Sequence, residues 1–252
     1  MTTSAPPALP EAPTRNYAVP VDYRVVWDEP EPCPYRPGET ARFPMRVPPR
    51  RLTPAELDAQ LEAGDRRSGR MLYTPTCPAC SACEPIRVSI PEFAPNKSQR
   101  RVWQRNQAEL TVMVGPPKVD AERIALYNRH KSERGLSRSG LDISPTAYKQ
   151  WLVDSNCDTR EITYSLGERL LAVSVLDVGA EAASSVYVYF DPDESKRALG
   201  VYSALVEIAW LRSQGKRWYY LGLYVADCRH LAYKSDYRPN ERRVGGRWVA
   251  GS

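Results

Sequence analysis

The chain has 252 residues, 42% of them apolar and 26% charged, with a net charge of +5 at pH 7. That length suits one large domain or two modest ones, and the mildly basic balance permits a polyanionic partner without requiring one. Six cysteines in so long a chain exclude a disulfide scaffold, and no apolar run approaches membrane-spanning length.

Met1 to Pro13 is rich in Pro, Ala, Thr and Ser, and residues 1–16 are expected to be a disordered tail. No signal-peptide pattern precedes the thiols, so a reducing cytoplasm is the expected setting, with no membrane partner. Tyr17 to Trp27 is β-prone, but Pro20 keeps it from being a central strand. A proline-dense loop, Asp28 to Gly38, carries Cys33, and Arg42 to Val47 reads as a short strand. Thr53 suits an N-cap, Pro54 the first helical position and Glu56 the capping box, while Gly64 suits the stop. Asp65 to Arg70 reads as a compact basic turn holding Arg66 and Arg67.

The most conspicuous stretch follows. Cys77, Cys80 and Cys83 are spaced C-x-x-C-x-x-C, with Cys33 upstream. Four thiols so placed suit a tetrahedral zinc or an iron–sulfur cluster; the other readings are reduced structural thiols and disulfides. Arg87-Val-Ser-Ile reads as a strand. Asn96 to Asn106 contains no acidic residue and reads as a basic hinge between two halves. It serves either as a solvated linker or as a phosphate-binding surface anchored by Trp103.

The second half alternates regularly. A strand is expected over Glu109 to Val114, a helix over Asp120 to Arg134, and another from Ser144-Pro145 through Leu152. Three strands follow, Arg160 to Leu166, Leu170 to Val178 and Ser184 to Phe190, with a hairpin glycine at Gly167. Leu199 to Ser213 is a mostly apolar helix, and Arg217 to Val225 a buried-type strand. The order β-β-β-α-β implies a final parallel unit. The expected fold is α+β, an acetyltransferase-like (GNAT-type) mixed sheet with helices on both faces. The expected division is a smaller cysteine-containing domain over 17–95 and a catalytic domain over 96–252. In such folds the helix entry binds a pyrophosphate through backbone N–H groups. Arg197 and Gly200 stand there, but Tyr202 replaces a small residue and is expected to crowd that group.

The residues also carry a family resemblance. Pro32-Cys-Pro-Tyr35, Arg66-Arg-Ser-Gly69, the cysteine stretch, Ser98-Gln-Arg-Arg101, Tyr189-Phe-Asp-Pro-Asp193, Tyr220-Leu-Gly222, Tyr233-Lys234 and Tyr237-Arg-Pro239 occur in order. Together they resemble the arginyl/leucyl-tRNA–protein transferases, most of all the bacterial aspartate/glutamate leucyltransferase branch. The resemblance implies transfer of leucine from leucyl-tRNA to the N-terminal amine of proteins starting with Asp or Glu, which marks them for degradation. The chain departs from the branch at His230 and Leu231, where a Lys-Met pair is usual, and at Leu223-Tyr224, where Tyr-Trp is usual.

The donor in such a reaction is an activated ester and the nucleophile an amine of pKa about 7.7–8.0. Positioning therefore matters more than acid–base chemistry, and no cofactor is required for the chemistry. Three parts are needed: a basic track for tRNA, a cation for the acidic side chain, and a dipole for the oxyanion. Arg66, Arg67, Lys97, Arg100 and Arg101 are the candidates for the track. Arg87 or Lys234 suits the acidic side chain. Tyr220, Tyr224 and Tyr233 suit the pocket where amine and ester meet; Tyr220 and Tyr224 suit core aromatics equally. Three alternatives stand beside this reading: arginyl-tRNA as donor, an acetyl-CoA-dependent enzyme, and a zinc-stabilised RNA-binding protein without catalysis.

Overall fold

A computed structural model describes residues 22–136 and 140–251. The expected tail therefore lies outside the described residues. The first part of the chain forms β1 (Arg24–Trp27), β2 (Pro30–Pro32), β3 (Thr40–Arg42), β4 (Met45–Val47), α1 (Pro54–Ala63), β5 (Arg66–Ser68), β6 (Met71–Tyr73) and β7 (Glu84–Ser89). Then come α2 (Lys97–Gln107), β8 (Thr111–Gly115), α3 (Ala121–Glu133), α4 (Pro145–Tyr148), β9 (Thr159–Leu166), β10 (Arg169–Val178) and β11 (Ala182–Phe190). The chain closes with α5 (Leu199–Ser213), β12 (Trp218–Tyr224), α6 (Arg229–Ala232), β13 (Asn240–Val244) and β14 (Arg247–Ala250).

Local chemistry accounts for the helix ends. At α1 the Thr53 side chain accepts from the Glu56 N–H, while Glu56 accepts from the Thr53 N–H at 2.8 Å. Gly64 ends the helix in the left-handed region at φ 96°. The expected hinge after Pro95 is instead helix α2. Asn96 and Gln99 form a reciprocal capping box that starts it. Val102 and Trp103 then pack against the core beneath α5, so the segment has an apolar side a linker would lack. The expected basic turn at Asp65 to Arg70 is part of a hairpin, with Arg66 paired to Tyr73 and Arg67 to Leu72.

Among the described residues the strands form three sheets. The largest has the order β14-β13-β7-β12-β11-β10-β9-β8. Strands β8 to β11 run as an antiparallel meander, and β11 pairs with β12 in parallel across α5. This is the α+β mixed sheet expected. It draws strands from both sides of residue 95, because β7 sits between β12 and β13.

Both faces of the sheet are covered. Leu199, Tyr202, Leu205, Ile208 and Leu211 of α5 pack with Ile86, Val88 and Leu221 on one face. On the other, Tyr127 of α3 and Tyr148 of α4 pack on Val173, Val175 and Tyr189, and Leu57 and Leu61 of α1 pack near Ala182 and Tyr220. Asp58 fastens α1 to the start of β11 by accepting from the N–H groups of Glu181 (2.8 Å) and Ala182 (3.2 Å). The smaller sheets, β1-β4-β6-β5 and β2-β3, flank that side and place Arg66 against the large sheet.

Candidate active site

The parallel pairing of β11 and β12 runs only from Ala182↔Trp218 to Ser184↔Tyr220. Beyond it the two strands part. On its other edge β12 shifts register against β7 between Tyr220 and Gly222. Gly222 takes φ 95°, a conformation that favours glycine. Arg66 reaches in from the hairpin and holds the parted strands: Nη1 donates to Ser184 Oγ at 2.6 Å and Nη2 to the Ser185 carbonyl at 2.7 Å.

Lys234 enters the same place from the segment after α6. Its Nζ donates to the Leu223 carbonyl at 2.7 Å, and the residue is 8% exposed. Burial, and then the Arg66 charge, lower its pKa to about 7. Tyr233 leaves its ring partly open to solvent, while burial of the hydroxyl raises its pKa; the Glu207 carboxylate adds to the rise and Arg134 opposes it. Beneath lies Glu207, which accepts from the Tyr219 hydroxyl at 2.6 Å and is pushed up by burial to about 7.

The structure thus brings together Arg66 and Lys234, while Tyr233, next to Lys234 in the chain, lies near Glu207 and Arg134. Tyr224 is half-buried on the last residue of β12, with the Arg242 guanidinium 4.9 Å from its ring centre. Several other candidates lie elsewhere. Arg67 is not on a tRNA-facing surface: it is buried, with Nε 2.5 Å from Asp177. Arg87 is already neutralised. It pairs with Glu62 and Glu241 and lies between the Trp218 and Trp248 rings, 4.0 and 4.2 Å from their centres. It therefore offers no free charge to an acidic substrate. Tyr220 joins that cluster, accepting from Arg87 at 3.1 Å and packing with the α1 leucines.

Arg197 pairs with Glu194 (2.8 Å) and Glu109 (2.7 Å), so its charge is also spent. Gly200 lies at the α5 entry, where a Cβ would meet Phe190 at 3.2 Å. The Tyr202 ring turns into the core, 5.8 Å from both Trp103 and Tyr164. It does not crowd the loop, which corrects the expectation drawn from its size.

Lys97, Arg100 and Arg101 lie exposed on α2. Lys97 and Arg101 are one helical turn apart and share a stripe with Arg105. Arg100 and Trp103 line a groove of about 330 Å³ between α2 and α5.

Cys33, Cys77, Cys80 and Cys83 are free and half-buried. Burial pushes Cys83 up to about 12, with Cys77, Cys33, Cys80 and Cys228 adding to the shift. Arg36 donates to Cys80 Sγ at 3.3 Å and to Asp227 at 2.9 Å, which ties this loop to the turn before α6. Among the described residues no three His, Cys, Asp or Glu side chains are grouped to hold a metal ion. Gly222, Ser184 and Ser185 are the site residues that sequence reasoning did not assign. A glycine within a buried strand pattern was the available signal for the first.

The N-terminal description of the arginine-tRNA-protein transferase family matches residues 31–101, and its C-terminal description residues 122–244. An aspartate/glutamate leucyltransferase of Chromobacterium violaceum is 36% identical over 219 residues, covering 87% of this chain and 90% of that protein. One from Pseudomonas aeruginosa is 38% identical over 223 residues, covering 88% and 94%. Among solved structures, the C-terminal domain of a putative lysylphosphatidylglycerol synthetase from Agrobacterium fabrum aligns with TM-score 0.46 and 16% identity, covering 70% of this chain and 54% of that one. The two family descriptions fall on the parts that build the parted strands, Arg66 in one and β11, β12 and Lys234 in the other. The chain belongs to the arginine-tRNA-protein transferase family.

Proposed function

We propose that the protein transfers leucine from leucyl-tRNA to the N-terminal amine of proteins that begin with Asp or Glu, and so marks them for degradation. The observation that carries this reading is the parting of β11 and β12 after Ser184 and Tyr220. Past that point the two strands are not paired to each other, and backbone N–H groups on their facing edges suit an extended peptide and a developing oxyanion. The names of the relatives supply the donor and acceptor.

The reaction is direct aminolysis. The free α-amine attacks the ester carbonyl, the new C–N bond forms, and the bond to the ribose oxygen of tRNA breaks. That oxygen leaves with a proton, and the proton lost by the amine goes to solvent. An α-amine of pKa about 7.7–8.0 is partly free near neutrality, so orientation supplies most of the rate. The exposed Lys97, Arg100 and Arg101 on α2 suit the backbone of the tRNA. The chemistry needs no cofactor. Cys33, Cys77, Cys80 and Cys83 act through the loop they occupy, which meets the turn before α6 at Asp227.

The test is a transfer assay with labelled leucyl-tRNA and arginyl-tRNA against peptides beginning with Asp, Glu, Lys or Ala. Leucine on the acidic peptides alone is expected. Arginine transfer instead would move the donor assignment. RNA retention with no transfer would leave a binding protein.

A further inference from the structure

The groove between α2 and α5 has no acidic residue in its lining, and its volume is about 330 Å³. Phe93, Trp103, Leu205 and Ile208 form its apolar walls, and Trp103 is only half-buried, so part of its ring surface is left to the groove. Two exposed amides, Gln104 and Gln107, and two guanidiniums, Arg100 and Arg212, stand beside them. Arg100 donates to the Pro95 carbonyl at 2.6 Å, and Arg212 to those of Ile90 at 2.6 Å and Phe93 at 2.7 Å. Backbone carbonyls thus orient both planes and leave further N–H groups to spare. Among the described residues neither arginine pairs with a carboxylate. The same holds for Lys97, Arg101 and Arg105, which follow one another along α2 about 6 Å apart. Arg67, Arg87 and Arg197, by contrast, are each neutralised by a carboxylate.

We propose that this groove is a socket for one unpaired base of the tRNA, other than the terminal nucleotide that carries the amino acid. The choice of RNA as occupant rests on the function proposed above. The volume lies at the low end of the range for ligand pockets, roughly 300–1,000 Å³. That suits one base better than the row of side chains an amphipathic helix inserts. Indole and guanidinium planes stack on a base of any sequence, and the two amides suit its hydrogen-bonding edge. The stripe of Lys97, Arg101 and Arg105 suits the neighbouring phosphates. From α5 the groove takes Leu205 to Arg212 and not the first turn at Gly200, so it stands apart from the parted strands. Yet α2 is fastened to the site at both ends. Gln99 donates to the Asp236 carbonyl at 3.3 Å, two residues beyond Lys234, and Asn106 to the Arg197 carbonyl at 2.9 Å, where α5 begins. A base seated on α2 therefore sets the register of the tRNA against the place of reaction without touching the reacting atoms.

The test uses the whole chain and filter binding at fixed salt. The probes are unacylated leucine tRNA, a short single-stranded RNA, and the same strand with abasic sites in place of its bases. The abasic strand keeps every phosphate, so the difference reads the bases alone. Wild type is expected to bind the intact strand about tenfold more tightly. Ala209→Trp fills the groove from an exposed position, and Gln104→Ala with Gln107→Ala strips its amides. Both should melt as wild type does. The first is expected to erase most of the tenfold difference and the second to narrow it. Both should weaken tRNA binding severalfold with the salt slope unchanged, because no charge is removed. The loss should persist with tRNA trimmed of its last nucleotide. If both variants bind tRNA as wild type does, or if trimming abolishes their effect, the socket is overturned. Groove-dependent binding of an acidic amphipathic peptide in place of RNA overturns it as well. If wild type binds RNA through the groove yet transfers no leucine, the function proposed above fails and the socket stands. Leucine transfer with RNA binding indifferent to the groove keeps that function and removes the socket.

Discussion

A Cβ on Gly222 would stand 2.9 Å from Nη2 of Arg66. The glycine is therefore what makes room for the guanidinium, and its φ of 95° also favours a residue without a side chain. Gly222→Ala should displace Arg66 and strain the strand by about 1–3 kcal/mol. The expected outcome is a lower melting temperature together with weaker transfer to Asp peptides. Thermal melts and the transfer assay on the same preparation check both.

Arg67 and Asp177 are a different case, a buried ion pair that holds the β5–β6 hairpin to β10. Thr159 also donates to Asp177, at 2.6 Å. Arg67→Met should destabilise by about 3–5 kcal/mol, because it leaves a buried carboxylate without its partner. Arg67→Met with Asp177→Leu should recover much of that loss. Urea denaturation of the three proteins measures it, and equal losses in single and double variants would refute the pairing.

On α2, removal of two exposed charges should weaken tRNA binding without unfolding the protein. Lys97→Ala with Arg101→Ala is expected to change stability by less than about 0.5 kcal/mol per site. It should also lower the slope of log affinity against log salt by about 0.7–0.9 for each phosphate that is no longer neutralised. Filter binding of leucyl-tRNA over a salt series reads the slope. An unchanged slope places the tRNA on another face.

Glu207 makes stability depend on pH. Burial raises its pKa from 4.5 to about 7, so the folded state binds more protons than the unfolded state between those values. Stability from this group is fully present below about 4.5 and is lost as pH rises through about 7. Glu207→Gln should flatten that part of the profile, measured as the denaturation midpoint at several pH values.

Cysteine reactivity should follow burial. Cys83 and Cys157 are both pushed up to about 12, chiefly by burial. At pH 8 both should resist iodoacetamide in the folded protein and react once it is unfolded. Peptide mapping by mass spectrometry reads both states. Treating the protein with chelator before the transfer assay should leave the rate unchanged.

Much of this protein can be read along the chain. Thr53, Pro54 and Glu56 announce α1, and Ser144-Pro145 announces α4, because helix caps are local chemistry. The β-β-β-α-β order places α5 between parallel strands, since chain connectivity limits the choices. The motif blocks point to the family because side chains recur at matching spacing. What the sequence left open was which charges are free. Arg66 and Arg67 are neighbours with the same side chain, yet strand alternation sends Arg67 to Asp177 and Arg66 to the parted strands. Arg87 has the look of a substrate cation, but Glu62 and Glu241, far apart in sequence, neutralise it. Partnering of this kind is decided between distant segments, and only the tertiary structure brings those segments together.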